Sequence, residues 1–439
     1  MSTTSAAPRG PHPHKAAPDS HYDALEARDP AQRERDLLAS LPALIRRAQS
    51  TAAGAERLGR VDAAAITTRQ AFARLPVLRK TELHERQKAQ RAATPWDPLG
   101  GCSAIGWRGM VAAQGARRVF QSPGPIYEPE GQGTDPFRMA RAIWAAGFRA
   151  GDLIHCSFSY HLTPAGAMME GGAHAIGCTT FAGGVGNTEL QLQAIVDLKP
   201  HGYIGTPSFL KILVEKAAET GQSIGSIHKA LVSGEAFPSS LRDWLHARGI
   251  EGYQAYATAD VGLIAYETVA REGLVVDEGV LLEIVRPGTD DPVPDGEVGE
   301  VVVTVLNTDY PLLRFGTGDL SAVLPGRCAS GRTQHRIKGW MGRADQTTKV
   351  RGMLVHPSQV ADIARRHAEI VRARAVVEGE MASDRLTFKA EVSAQPEGLA
   401  DAIAASVRDV TKLRADVVLA APGSLPNDGK VIEDARSYR

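Results

Sequence analysis

The sequence has little of what marks a secreted, membrane-bound or nucleic-acid-binding protein. Only four cysteines occur in 439 residues: Cys102, Cys156, Cys178 and Cys328. They stand far apart and form no CxxC pair, which argues against a cysteine-rich zinc site and favours a reducing compartment. Net charge is absent, with 50 Lys+Arg against 50 Asp+Glu. No long-range field therefore recruits nucleic acid or an anionic membrane, and any anionic ligand must be held by local groups. No run approaches the roughly 20 apolar residues of a membrane span. The opening "MSTTSAAPRGPHPHKAAPDS" has no apolar stretch either, so it reads as a disordered tail over 1–21 and not as a signal peptide. The expectation is a cytoplasmic protein.

What is present is a soluble composition, 43% hydrophobic and 23% charged, in a chain long enough for two or three domains. Between Tyr22 and Gln90 the pattern is helical, with Leu37, Leu38, Leu41, Leu44 and Ile45 on one face and Pro42 placed to start a second helix. The central third alternates. "DLIHCSF", "CTTFAG", "GYIG", "KALVS" and "GYQAY" read as strands. Helices at 164–177, 188–198, 206–219 and 241–249 separate them. Thr206 can cap the third of these helices and Pro207 can take its first position. Short strands alternating with helices predict a parallel sheet covered on both faces. After Asp260 the texture turns β-rich, in two runs around a Pro/Asp/Gly turn region, which predicts an antiparallel or barrel-like subdomain over 263–341. A last segment mixes short strands with a helix around Val360–Arg372, beyond a hinge expected at Gly342–Asp345.

One stretch is contradictory. "SPGPIYEPEGQGT", Ser122 to Thr134, opens like a phosphate-gripping loop, yet Pro123, Pro125 and Pro129 have no N–H to offer an anion. Ligands of a doubly wound sheet bind beyond the carboxyl ends of its strands. The stretches "FSYHLTPAG", "SGEAFP" and "YATADVG" all fall at such ends, so they predict a single cleft.

In order along the chain come "GTPSFL", "SGEAFP", "YATADVG", "DGEVGEVVVT", "RFGTGDL", "GRADQTTKVRGMLVHPSQV" and "LPNDGKVIEDAR". From about Tyr22 to the end the chain resembles the phenylacetate–CoA ligase branch of the adenylate-forming enzymes. The resemblance implies an α/β fold with a large N-terminal domain over 22–342, comprising a helical layer, a doubly wound sheet and the β-rich subdomain. A small, mobile C-terminal α+β domain over 343–439 completes it. It also implies ATP, Mg²⁺ and coenzyme A as cofactors, a small-molecule carboxylic acid as substrate, and a homodimer. In such enzymes the acid reacts with ATP to give an acyl-adenylate, and the acyl group then passes to coenzyme A.

Carried over position by position, Lys430 matches the catalytic lysine between substrate carboxylate and α-phosphate. Asp260 stands at the position of a Mg²⁺-binding glutamate, with Ala259 replacing a threonine beside it. Asp319 resembles the acceptor of the ribose hydroxyls, Gly234 and Glu235 the adenine-side loop, and Tyr256 a ring stacked on the base. Arg343 resembles the arginine that steadies ribose and phosphate, and Asp345 the pivot of the small domain. Arg351 and Gly352 fall in the loop that meets coenzyme A. Ser122 and Gly124 survive in the phosphate loop, but Pro125, Ile126 and Tyr127 replace its Thr-Thr-Gly run. Losing one preorganised donor costs about 3 kcal/mol. The loop is therefore expected to be rebuilt, with the Tyr127 hydroxyl and the amides of Gly131 to Thr134 as substitutes. "YETVAREG" and "RCASGRT" lack the Cys/His set of some relatives, so no structural zinc is expected.

The acyl pocket is expected to be lined by Phe158, Tyr160, His161, Thr163 and Pro207. A polar His/Thr pair where relatives have glycine and an aromatic points to a small aromatic acid with a polar substituent. Two further readings stay open at this point. One is adenylation with another acceptor, and the other is a ligand-binding relative without catalysis.

Overall fold

A computed structural model describes residues 21–436, apart from 94–95, 111–114, 288, 345, 347, 380–383 and 427–430. Both the expected catalytic Lys430 and the expected pivot Asp345 therefore lie outside the described residues, as does most of the N-terminal tail.

The central alternation folds as its periodicity requires. Five parallel strands lie in the order Thr179–Ala182, Leu153–Cys156, Gly202–Gly205, Lys229–Val232 and Glu251–Thr258. Four antiparallel strands then extend the same sheet: Gly262–Glu267, Leu274–Val276, Arg336–Ile337 and Val323–Leu324. Intervening helices Ala165–Ala175, Thr188–Leu198, Pro207–Thr220 and Ser239–His246 complete the parallel crossovers. The helix after Thr206 starts as expected, its hydroxyl accepting from the Phe209 amide at 3.4 Å with Pro207 next in line. A second sheet of four strands, Leu78–Arg79, Phe315–Ser321, Gly299–Val305 and Val280–Val285, is the antiparallel part expected after Asp260. Its first strand, which pairs in parallel, comes from the helical layer. Residues between Val350 and Ile432 pack around a core of their own, built on four strands, Asp416–Ala420, Arg385–Val392, Ile370–Glu378 and Ile432–Asp434, and the helix Leu399–Thr411.

Three local expectations are corrected. Pro42 starts nothing, because one helix runs unbroken through Pro30–Gln49. Leu37, Leu41, Leu44, Ile45 and Ala48 form one buried stripe across the proline, and their burial outweighs the roughly 3 kcal/mol that an interior proline costs. The helix placed around Val360–Arg372 is shorter, Pro357–Arg365, and Ile370–Glu378 is a strand. The opening of "SPGPIYEPEGQGT" is no open anion loop. It lies in a tight hairpin pairing Arg118–Ser122 with Ile126–Glu130, Ser122 opposite Ile126, so Pro123, Gly124 and Pro125 form the turn.

Candidate active site

The carboxyl ends of the parallel strands point the same way, and the three stretches expected there converge. The Ser157 amide donates to the Ile204 carbonyl, and the Ser233 hydroxyl bridges to the Ala255 carbonyl. Gly234 takes a left-handed φ of +81°. A Cβ added there would sit 3.7 Å from the Phe158 ring and 3.9 Å from the Thr206 methyl. Phe158 and Pro207 are buried. Tyr160 is half-buried, and its hydroxyl is sealed from water beside Cys156 and Glu170. His161 departs from expectation. It is exposed, in a turn where the Ser159 hydroxyl donates to its carbonyl, and Thr163 is half-buried. The polar pair therefore does not form a buried filter in this conformation. Glu235 is exposed.

On one flank of this cleft stands Asp319, at the strand Phe315–Ser321. Its Oδ2 accepts from the Tyr256 hydroxyl at 2.8 Å, and its Oδ1 from Arg343 Nη1 at 2.9 Å and Trp340 Nε1 at 3.1 Å. Tyr256 also reaches the Thr317 hydroxyl at 3.1 Å. Burial first, then the Asp319 charge, lifts the phenol well above its ordinary range, so it remains a donor. Gly318 at φ +74° is obligatory here, since a Cβ would lie 2.5 Å from the Arg343 guanidinium. Asp319, Tyr256 and Arg343 were expected at one ligand and do assemble. Trp340 was not singled out in the sequence.

The other flank begins four residues past Tyr256. Asp260 is 95% buried, and its Oδ2 accepts from Lys80 Nζ at 2.8 Å. Burial disfavours the Lys80 ammonium, but the Asp260 charge outweighs it and lifts the lysine above its usual value. Glu128, on the hairpin, takes the Ser122 hydroxyl on Oε1 and is almost wholly buried. Its burial, with the Asp260 charge second, pushes its carboxyl up to about 8. Among the described residues, Asp260 Oδ1 and Glu128 Oε2 are both buried with no hydrogen-bond partner. Two such oxygens in one electrostatic neighbourhood suit a hard divalent cation, which needs one or two carboxylates plus phosphate and water. Among the described residues no cluster of three or more His, Cys, Asp and Glu is placed to hold a metal.

Lys80 opens the helix Lys80–Ala93, and that helix explains the hairpin. Lys80, His84, Gln87 and Arg91 recur on one face. Gln87 is fully buried, and its amide clamps both main-chain groups of Tyr127 at 2.8 Å. His84 lies against Gly124, and the Arg91 guanidinium sits 5.3 Å from the centre of the Tyr127 ring. The cradle expected from Gly131 to Thr134 is not arranged as one. Neither Gly131 nor Gly133 takes a left-handed φ, which an anion-binding nest requires. Gly131 is glycine because Asp309 leaves no room for a Cβ. The Tyr127 hydroxyl is engaged by Gln121 Nε2 at 3.1 Å. The positive charge beside the hairpin comes instead from Lys80, which its place on a polar helix concealed.

Residues 139–306, which include the parallel strands and the Asp260 turn, match the family model described as AMP-binding enzyme. That segment is similar to AMP-binding enzymes. The chain is 32% identical over 264 residues to the phenylacetate-coenzyme A ligase of Thermus thermophilus, and 30% identical over 264 residues to that of Aromatoleum evansii. Each match takes in 58% of this chain, and the chain spans 59% of the length of either relative. In fold, the chain resembles 2-hydroxyisobutyryl-CoA ligase bound to 2-HIB-AMP and CoA in its thioesterification state. The TM-score is 0.77 at 23% identity, covering 94% of this chain and 92% of the other. The same ligase in its postadenylation state with R3-HIB-AMP gives 0.67 at 23% identity, covering 93% and 91%. These neighbours share the fold of this chain over 93–94% of its length.

Proposed function

We propose that the chain is an AMP-forming acid–CoA ligase that activates a small carboxylic acid as its acyl-adenylate and hands the acyl group to coenzyme A. The observation that carries this reading is the continuity of the two flanks. One strand, Glu251–Thr258, presents Tyr256 to Asp319, and the turn that follows it presents Asp260 to Lys80. A nucleotide lying along that strand meets a ribose acceptor at one end and a phosphate-side cation at the other.

The chemistry sets two anions, a carboxylate and a triphosphate, against each other. Asp319, steadied by Arg343 and Trp340, accepts the ribose hydroxyls and fixes the α-phosphate in place. Gly234, with no Cβ, lets the adenine lie against the loop. Lys80 faces the phosphates with a charge that Asp260 keeps in place. Lys430 supplies the second cation, between the acid and the α-phosphate. Asp260 Oδ1 and Glu128 Oε2 would hold Mg²⁺, which when bound neutralises phosphate charge. The acid lies against Phe158, Tyr160 and Pro207. The enclosed Tyr160 hydroxyl and the phenylacetate-specific names of the relatives favour an aromatic acid with a polar substituent. Arg351 and Gly352 form the tip of a hairpin toward coenzyme A, and a homodimer in the cytoplasm remains part of the reading.

Acid-dependent exchange of pyrophosphate into ATP tests the adenylation step. The panel should set hydroxylated and unsubstituted aromatic acids against branched hydroxy acids. The strongest exchange is expected with a substituted aromatic acid, and preference for a branched aliphatic one would overturn that part. AMP release that requires coenzyme A tests the acceptor.

A further inference from the structure

The turn that carries Asp260 is short, and the sheet supports it on one side only. Strands Glu251–Thr258 and Gly262–Glu267 pair antiparallel with Thr258 opposite Gly262, so Ala259, Asp260 and Val261 form the turn between them. On the other edge of the second strand, Leu274–Val276 pairs with Ala265, Tyr266 and Glu267 and goes no further toward the turn. Val261 and Leu263 are buried beyond its reach, and buried main-chain groups need partners.

The segment Phe137–Arg138 stands in for the missing strand. The Leu263 amide donates to the Phe137 carbonyl at 3.0 Å. Arg138 Nη2 donates to the Val261 carbonyl at 2.6 Å and to the Leu263 carbonyl at 2.9 Å. Alternate carbonyls of a strand share one edge, so a single guanidinium spans both. Its Nε donates to Asp277 Oδ1 at 3.0 Å. Asp277 is fully buried directly after Leu274–Val276, and its own amide donates to the Ile264 carbonyl at 2.9 Å. The arginine thus ties the Asp260 turn to the core of the sheet.

The backbone is shaped around this side chain. Arg138 takes a left-handed φ of +64°, which is costly for a residue with a Cβ and marks sites held by their surroundings. The Asp135 carboxylate fixes that bend by accepting from the Met139 amide at 3.0 Å and the Ala140 amide at 2.8 Å. Gly262, at φ +73°, lets the segment lie close, since a Cβ there would sit 2.7 Å from the Phe137 carbonyl oxygen. At Gly279 a Cβ would sit 3.2 Å from Arg138 Cδ. Bulk water satisfies edge carbonyls without fixing them, whereas a forked cation does both. What is fixed is the residue one peptide bond before Val261, whose carboxylate meets Lys80 at 2.8 Å.

We infer that Arg138 is a positioning residue for Asp260: its guanidinium, anchored on Asp277, holds the Asp260 carboxylate in place on the phosphate side of the cleft. The inference rests on the ligase reading. A displacement of about 1 Å at such a group costs on the order of a hundredfold in rate.

A double-mutant cycle in the whole protein tests it, read by acid-dependent pyrophosphate exchange. Arg138→Gly removes the fork, and glycine accepts the left-handed φ. Its exchange kcat should fall roughly tenfold to a hundredfold, with the KM for the acid changed less than about twofold. In the Asp260→Asn background the same substitution should cost less than about twofold, because nothing is left to position. Millimolar guanidinium, set against equal sodium chloride, should restore exchange to Arg138→Gly and not to Asp260→Asn. Calorimetric titration with Mg²⁺–ATP reads the same defect without turnover, as binding weakened roughly three- to tenfold in Arg138→Gly. Arg138→Lys keeps a charge beside Asp277 but cannot fork across two carbonyls. It should share the loss while melting near the parent, and it replaces the glycine variant if that one does not fold. Parental exchange and ATP affinity in both variants, or the same fold loss in both backgrounds, overturns the inference and leaves the ligase reading intact. A parent chain that shows no exchange with any acid overturns that reading, and this inference with it.

Discussion

The two flanks of the cleft are finished to different degrees. Asp319 is held in place, since both of its oxygens accept hydrogen bonds and its partners come from two separate segments of the chain. Among the described residues the Asp260–Glu128 flank is left open, with one oxygen of each carboxylate buried and unpartnered, and with one lysine against two acids. A carboxylate held in this way is preorganised, keeps an acceptor site free, and needs no reorganisation when a sugar arrives. An open pair waits for charge. The difference teaches that the ribose side is set by protein alone, whereas the phosphate side is completed by what binds.

If so, the flanks should fail differently. Asp260→Asn should give the largest loss, on the order of a hundredfold to a thousandfold in exchange rate, because it removes a cation-holding charge and the partner of Lys80 together. ATP–pyrophosphate exchange measured across a Mg²⁺ series checks it, and recovery at high Mg²⁺ would place the defect in metal affinity. Lys80→Met should cost roughly a hundredfold in kcat, with ATP affinity less affected. A loss confined to KM would instead make Lys80 a ground-state binder. Tyr256→Phe strips one donor from Asp319 Oδ2 and should raise the KM for ATP by roughly three- to tenfold, with kcat largely kept.

A separate effect is on stability. The Glu128 carboxyl sits near 8 in the folded chain against an ordinary 4.5. The folded state therefore holds a proton that the unfolded chain has released, so this stability is fully present below about pH 4.5. It drains away as pH rises through about 8, at up to about 1.4 kcal/mol per unit. In metal-free buffer, Glu128→Gln should flatten that decline, as read by denaturant melts between pH 5 and 9. An unaltered slope would mean that Glu128 is already charged.

The sequence exposed the Asp319 flank better than the Asp260 flank. Asp319, Tyr256 and Arg343 stand in short motifs whose order identifies them, and the alternation located the strands Gly202–Gly205 and Lys229–Val232 closely. Lys80 escaped notice because the helix Lys80–Ala93 is polar nearly all round, and a polar helix reads as solvated. The stripe Lys80, His84, Gln87 and Arg91 was the available signal, with a glutamine at its centre that proves fully buried. Glu128 was hidden between Tyr127 and Pro129, where a motif comparison sees only lost donors. Trp340 reaches Asp319 through tertiary folding that no local pattern announces. The glycines at Gly131 and Gly133 misled because permissive backbone is not evidence of unusual backbone. One of them serves only to make room for Asp309.

The most direct test of the whole account is pyrophosphate exchange by the parent chain and by Asp260→Asn, run side by side with a panel of small carboxylic acids. Exchange that depends on at least one acid, and that collapses in the variant, is the predicted result. Tight ATP binding with no exchange for any acid would contradict it, as would exchange that persists undiminished without the Asp260 charge.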